Sequence, residues 1–310
     1  MPNVINFDQS GYIKNIFIGC NIRLIQDLIN FTDKYNREGA LLFIDFKKAF
    51  DSLEWKFLHK VIEKFNFGPN FQKWVKVFYK DPQAVIKNNG WLSEPFILSR
   101  GIRQGCPLSA LLFIFAVETL AIKIRSEKNI LGFTLESHSG SHNYKISQYA
   151  DDSVVIVKNF DEISTVLTLL GIFGELAGLR INIDKTKIMG MGSLKCSVKS
   201  VHNIEVVSCI KTLGIYVGHN KKLCIDRNWS DKLTKIKVLL QRWQERSLTP
   251  LGKVVIIKSL ALPIIAYNVS NCETPPWVIK NVNSLFLSSY GLAQKRLNKE
   301  ALLVKLTKVA

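Results

Sequence analysis

Tyr144-Lys145-Ile146-Ser147-Gln148-Tyr149-Ala150-Asp151-Asp152-Ser153-Val154-Val155-Ile156-Val157 sets two strand-like segments around Ala150-Asp151-Asp152. The gap is hairpin spacing, so two carboxylates stand together at a tip. Upstream, Ala40-Leu41-Leu42-Phe43-Ile44 is an unbroken apolar run ending on Asp45, the pattern of a strand buried on both faces. Three aspartates thus mark the ends of short apolar strands. Clustered carboxylates repel, and one would take up a proton near neutral pH unless a cation neutralised the group. Oxygen-only ligands favour Mg²⁺, bound through carboxylates and substrate phosphates. Two such ions about 4 Å apart would activate an attacking hydroxyl and stabilise a leaving oxygen in phosphoryl transfer. Taken alone, an aspartate pair in a turn is more often a solvated loop.

The order of the surrounding motifs changes that weighing. Phe43-Ile44-Asp45 is followed by Ala49-Phe50-Asp51, then by Arg100-Gly101-Ile102-Arg103-Gln104-Gly105-Cys106-Pro107-Leu108-Ser109, then by Tyr149-Ala150-Asp151-Asp152. Gly178-Leu179-Arg180-Ile181-Asn182, Lys185-Thr186-Lys187 and Leu213-Gly214 continue the series. This succession resembles the palm motifs of reverse transcriptases, in the wording of the non-LTR (LINE-type) retrotransposon branch. Asn6 to Ile13 and the segment Asn21-Ile22-Arg23 match a segment that precedes the first palm motif in that branch. The similarity is dense from Asp8 to about Gly218 and thinner beyond. The implied fold is α+β: a right-hand polymerase palm, an antiparallel sheet with packed helices, followed by a helical thumb, with the fingers largely absent.

The resemblance implies roles residue by residue. Asp45, Asp151 and Asp152 would hold two Mg²⁺ ions, or Mn²⁺ in their place, with a backbone carbonyl of Ile44 or Phe46 as a further ligand. Phe50 matches the steric gate beneath the incoming sugar, which would favour deoxynucleotides; an ordinary core phenylalanine is the other reading. Gln104 and Gly105 match the contact with incoming nucleotide and template, where glycine permits close backbone approach. Arg103 would approach phosphate or hold that loop. Lys185 matches the group proposed to protonate departing pyrophosphate, and a solvated lysine beside Lys187 is an equal reading. Leu213-Gly214 resembles the primer-grip hairpin, and Tyr149 is expected beneath the catalytic hairpin, touching the primer end at most. The implied partners are an RNA template, a DNA primer, deoxynucleoside triphosphates and the rest of a retroelement polyprotein.

Elsewhere the patterning is local. Apolar residues at helical period from Asn21 to Tyr35 predict an amphipathic helix. Helices are also expected around Trp55 to Ile62, Phe71 to Phe78, Leu108 to Ile124 behind Pro107, and Asp161 to a cap at Gly178. Asn88-Asn89-Gly90 between Ala84-Val85-Ile86 and Pro95-Phe96-Ile97-Leu98 predicts a hairpin. Ile181 and Ile188-Met189 suggest a strand pair, and 190–210 reads as a weakly defined connection. Beyond a boundary placed near His219, helices are expected from Trp229 to Arg246, Gly252 to Tyr267 and Trp277 to Tyr290. The division is then 1–38 (residual fingers and an N-terminal helix), 39–218 (palm) and 219–310 (thumb). In the thumb, Lys232, Lys235 and Arg242 share a helical face able to track phosphates, while Leu239, Leu240 and Trp243 serve the core.

Composition agrees with a polyanion as partner. The 310 residues carry 42 Lys+Arg against 25 Asp+Glu, a net charge of +17, and each phosphate neutralised releases counterions. From Lys221 to Ala310 there are 16 basic and 5 acidic residues, net +11, which leaves +6 for the first 220. The longest apolar run, Leu108 to Val117 closed by Glu118, falls short of the ~20 residues of a membrane span, so no membrane is expected. Six cysteines without a Cys-x-x-Cys pair point to a reducing compartment, cytoplasmic or nuclear, and Cys196 with His202 makes a poor zinc pair. No secretory signal is visible at Met1. In the family the fingers begin upstream of the segment matched by Gln9, so the expectation is a palm and thumb from a longer polyprotein. The reading is an RNA-directed DNA polymerase domain; the alternative is a truncated, catalytically impaired fragment that only binds nucleic acid.

Overall fold

The computed structural model describes residues 4–137, 140–195 and 198–289. Two compact units, Met1–Leu213 and Gly214–Ala310, divide the chain. The first unit opens with α1 (Gly19–Tyr35), β1 (Gly39–Ile44), the short α2 (Ala49–Ser52), α3 (Trp55–Lys64) and α4 (Pro69–Phe78). The short strands β2 (Gln83–Ala84), β3 (Lys87–Asn88), β4 (Trp91–Leu92) and β5 (Phe96–Ile97) precede the long α5 (Pro107–Ser126). Then come β6 (Phe133–Ser137), β7 (Gly140–Tyr144), β8 (Ile146–Tyr149), β9 (Asp152–Val157) and α6 (Glu162–Ala177). β10 (Lys187–Met191), β11 (Ser200–Val201), β12 (Ile204–Val206) and β13 (Cys209–Thr212) complete it.

The sheet that matters for the site has six strands in the order β11-β12-β10-β1-β9-β8. β1 lies inside it, antiparallel to both β9 and β10, and all six of its residues are buried. Alternation explains the unbroken apolar run. Ala40, Leu42 and Ile44 join the main core with Leu112, Leu120, Val166 and Phe173 of α5 and α6. Leu41 and Phe43 point to the other face, where α1 touches β8 and β10. Pro107 occupies the first turn of α5, where a missing N–H costs nothing. α6 ends on Gly178 at φ +78°, where a Cβ would lie 2.3 Å from the Ser52 carbonyl oxygen. Only glycine fits that cap.

α5 is long and apolar enough to cross a membrane by length and composition, yet most of it is buried in the core. Its Glu118 is buried too and pairs with Arg125 at 2.5 Å, while Arg125 also holds Asp8 at 2.8 Å. This triad ties the start of the chain to α5. The segment it anchors runs along β8, the edge strand, through Ser10 N–H to the Gln148 carbonyl (2.9 Å) and Gln148 N–H to the Asp8 carbonyl (2.8 Å). An otherwise open sheet edge is thereby covered.

Several local expectations need correction. The 84–98 hairpin is double, β2 pairing with β5 and β3 with β4 around the turn. The strand expected over Tyr144 to Tyr149 breaks at Lys145, whose ammonium turns to the carbonyls of Arg125 and Glu127 at 3.0 and 2.7 Å. β7 therefore pairs with β6, and only β8 joins the main sheet. Ile181 forms a single bridge to Phe46 rather than a strand. The 190–210 stretch is ordered as β11 and β12, with β12 running parallel to β10. Cys196 and His138 lie outside the described residues.

The second unit holds β14 (Ile215–Gly218), α7 (Lys221–Gln244), α8 (Pro250–Ile256), α9 (Leu262–Asn271) and α10 (Pro276–Ser289), with a π turn at Ile257–Ala261 between α8 and α9. Trp229, Ile236, Leu240, Ile265, Val282 and Phe286 build its core. α7 starts well before Trp229 because the Asn220 side chain accepts from Leu223 N–H and caps it. Leu239 packs against that core, but Trp243 is half-exposed, with the Arg246 guanidinium 4.6 Å from its ring. The stretch Pro250–Asn271 is also of membrane-spanning length and apolarity, and little of it is buried. Tyr290 lies outside the described residues.

Arg125→Met leaves the buried Asp8 and Glu118 without a cationic partner. It should lower the unfolding free energy by about 3–5 kcal/mol in denaturant titration; a loss below about 1 kcal/mol would show that the triad does not hold the segment.

Candidate active site

Backbone register gathers the acidic residues. Ile44, the last residue of β1, pairs with Ser153, so Asp45 emerges beside Asp152 at the start of β9. Tyr149 pairs with Asp152 across β8 and β9, leaving Ala150 and Asp151 as the hairpin tip. Ala150 sits at φ +55°, a left-handed conformation costing roughly 1–2 kcal/mol for a residue with a Cβ. Its N–H donates to the Gln9 Oε1 at 2.9 Å, and Gly11 N–H donates to the same oxygen at 2.8 Å.

Asp45 is fixed from the opposite side. Its N–H donates to the Thr186 Oγ1 at 3.3 Å, and its carbonyl accepts from Asn182 N–H at 2.7 Å. The 178–186 loop, with exposed Lys185 on it, is thus attached to the backbone of the first aspartate. Asp45 is half-buried and Asp151 likewise, while Asp152 keeps one side open to solvent.

The electrostatics follow from this convergence. Asp151 is raised above the usual carboxylate range, first by burial and then by repulsion from Asp45, against a lowering hydrogen bond from its own backbone. Asp152 is pushed up to about 6 by burial and by repulsion from Asp151 and Asp45. Both shifts report burial first and neighbouring negative charge after it. Among the described residues no group of three or more Asp, Glu, His or Cys side chains is arranged to hold a metal ion. An open set of oxygen donors that disfavour their own ionisation nonetheless suits a hard divalent cation with water and substrate oxygens as its remaining ligands.

The residues expected on the substrate side form a second cluster. Ile102 N–H donates to the Phe50 carbonyl at 2.7 Å, Gly101 N–H to the Leu53 carbonyl at 2.8 Å, and Trp55 Nε1 to the Gly101 carbonyl at 2.6 Å. The 100–105 loop is therefore stitched to α2. Phe50 is half-buried with one ring face stacked on Phe113, centroids 4.5 Å apart and planes 14° from parallel. Gln104 Nε2 donates to the Asp51 carboxylate at 3.3 Å. Arg103, Gln104 and Gly105 are exposed, and open space surrounds the Cβ position of Gly105 at φ +83°.

Tyr149, the last residue of β8 in the acidic hairpin, is half-buried and stacks on the exposed Tyr12 with centroids 6.5 Å apart. Leu213 and Gly214, at φ +45° and +81°, lie where the two compact units divide. Lys232, Lys235 and Arg242 all stand on α7 in the second unit; Lys235 and Arg242 are exposed and Lys232 half-buried. The local bonds thus unite the carboxylates with the Lys185 loop, and Phe50 with the 100–105 loop. Sequence patterning missed the parts that hold these groups: Thr186, Phe113 and Gln9. Their only signal was position, Thr186 beside Lys185 and Gln9 inside a matched segment.

Comparison with known proteins identifies the family and the fold. The model of the reverse transcriptase (RNA-dependent DNA polymerase) family matches residues 2–217. An uncharacterised 149 kDa protein of transposon TX1 from Xenopus laevis is 28% identical over 89% of this chain and 21% of its own length. The Pol polyprotein of the type-2 retrotransposable element R2DM of Drosophila melanogaster is 26% identical over 91% of this chain and 27% of its own length. The chain thus spans about a quarter of these curated relatives or less. Among solved structures, apo telomerase from Candida tropicalis shares the fold at a TM-score of 0.53 and 12% identity, over 93% of this chain and 48% of that one. An α+β polymerase palm followed by a helical unit accounts for both the sheet and the helices. The chain belongs to the reverse transcriptase (RNA-dependent DNA polymerase) family, as a domain of the non-LTR retrotransposon type.

Proposed function

We propose that this chain is an RNA-directed DNA polymerase domain that extends a DNA primer along an RNA template with deoxynucleoside triphosphates. The observation that carries the reading is the meeting of Asp45, Asp151 and Asp152 at one end of adjacent strands, with Asp151 and Asp152 raised by burial and mutual repulsion. Those three side chains would hold two Mg²⁺ ions, or Mn²⁺, which when bound supply the Lewis acidity that in-line phosphoryl transfer requires. The primer 3′-oxygen then bonds to the α-phosphorus as pyrophosphate leaves.

Other residues shape the same event. Phe50, backed by Phe113, would sit under the sugar and crowd a 2′-hydroxyl. Gln104 and Gly105 would meet nucleotide and template, with Arg103 toward phosphate. Lys185, on the loop bonded to Asp45, would give a proton to the departing pyrophosphate. Tyr149 and Leu213-Gly214 would border the primer, and Lys232, Lys235 and Arg242 would track its phosphates. A reducing cytoplasmic or nuclear setting suits the exposed thiols of Cys20 and Cys106.

Primer extension on an RNA template with Mg²⁺ should proceed with the wild-type chain and fall to background with Asp151→Asn. Background extension by both would leave only nucleic-acid binding, the alternative function.

Asp152 also predicts a pH signature. Its pKa rises from 3.8 unfolded to about 6 folded, so the native state binds the extra proton, and the stability this gives below pH 4 is lost as pH climbs through 6. Without metal, Asp152→Asn should gain in melting temperature over wild type as pH rises from 4 to 7, and Mg²⁺ should narrow the gap by stabilising wild type alone. A gap independent of pH would show that Asp152 is not under this repulsion.

Neutralising Lys232, Lys235 and Arg242 together to Gln should reduce the slope of log affinity against log salt for a primer–template by about 2–3. An unchanged slope would place the phosphate contacts elsewhere.

A further inference from the structure

We infer that Gln9 is a positioning residue for the acidic hairpin, holding the turn that presents Asp151 and Asp152. The inference rests on the reading of those aspartates as the metal-holding pair. Gln9 is fully buried, so it does not reach substrate. Its side-chain Oε1 faces two backbone donors, Ala150 N–H at 2.9 Å and Gly11 N–H at 2.8 Å, and two donors meeting one atom identify it as the amide oxygen.

The geometry gives that bond a purpose. Tyr149 and Asp152 are the last paired residues of the hairpin, so Ala150 N–H lies beyond the ladder and needs an acceptor from elsewhere. Ala150 is also held at φ +55° without being glycine, a conformation that persists only where the surroundings over-determine it. Rotation of this one peptide would swing Asp151, its neighbour, away from Asp45.

The brace is itself held on each side. Asp8 and Ser10 bond through their backbones to Gln148, bracketing Gln9 against β8. Ser10 Oγ donates to Asn21 Oδ1, and Asn21 Nδ2 donates to Ser147 Oγ at 2.9 Å and to the Gln148 carbonyl at 3.0 Å. Gly11 lets the segment come this close, since a Cβ there would lie 2.4 Å from the Ala150 nitrogen. Gln9 Nε2, by contrast, has no hydrogen-bond partner among the described residues. What the site asks of residue 9 is an acceptor oxygen of glutamine length.

Two substitutions separate this role from ordinary packing. Gln9→Met keeps length and removes the acceptor; Gln9→Glu keeps an acceptor oxygen and replaces the amide nitrogen with the hydroxyl of a carboxyl that burial beside Asp8 and the acidic hairpin keeps protonated. Hydrogen–deuterium exchange on the full chain without substrate should show faster exchange at Ala150 in Gln9→Met, with β1 and β9 protected as in wild type and Gln9→Glu near wild type at Ala150. In primer extension, kcat of Gln9→Met should fall about 10- to 100-fold with KM for primer–template unchanged. If Gln9→Met does not fold, Gly11→Ala, which forces a Cβ against the Ala150 nitrogen, should show the same local exchange and the same kcat loss. Wild-type exchange at Ala150 in Gln9→Met, or equal deprotection in Gln9→Glu, would overturn the role. Exchange is read without catalysis, so an inactive wild-type chain would refute the polymerase reading while the exchange at Ala150 still shows whether Gln9 braces the turn.

Discussion

Like charges have to be kept together at the end of a sheet, and the first unit is organised around that constraint. Three aspartates on adjacent strands gain nothing from one another; burial and repulsion raise Asp151 and Asp152. Side chains on a loop would relax by moving apart. Here relaxation is opposed by the backbone: β1 is hydrogen-bonded on both flanks and covered on both faces, and Asp45 is fixed by Thr186 and Asn182. The cost in local stability is met by an apolar core running through α5 and α6. Burial is the larger cause of both shifts, and the charged side chains that add to it are themselves acidic.

The same logic sorts charge along the chain. A unit that must concentrate carboxylates gains little from surrounding them with lysines that would neutralise them without chemistry, and the basic excess accumulates after Lys221. On α7 the two faces are distinct: Trp229, Ile236 and Leu240 fill the core, while Lys235 and Arg242 stand exposed. Five of the sixteen basic residues of this last third, from Lys295 onward, lie outside the described residues. The described part of the second unit still carries most of the excess.

What was legible in the sequence was what local patterning controls. The apolar run ending on Asp45, the two-carboxylate hairpin, Pro107 opening α5 and Gly178 closing α6 each have a signal within a few residues. The elements that escaped depend on partners far away in sequence. Lys145 breaks a plausible strand because carbonyls at Arg125 and Glu127 await its ammonium. β11 and β12 are too short for periodicity to mark and are ordered by pairing with β10. Trp243 carries a core residue's hydrophobicity but stacks with Arg246 at the surface. At the site, the motifs identified the chemical groups, whereas Thr186, Phe113 and Gln9 emerged only from three-dimensional contact.

The bond from Ala150 to Gln9 joins residues 141 positions apart. On a translating ribosome the acceptor is made first and the donor follows on the order of ten seconds later at ordinary elongation rates. Through that interval the nascent chain holds a buried-type glutamine and a bare β8-seeking segment with nothing to pair. The acidic turn therefore reaches its working shape late, as the act that closes the sheet's open edge. A chain that stalls before Ala150 lacks β9, α6 and β10 as well, so β1 has neither sheet neighbour and the three aspartates cannot meet: the core and the acidic cluster wait on the same late-made strands.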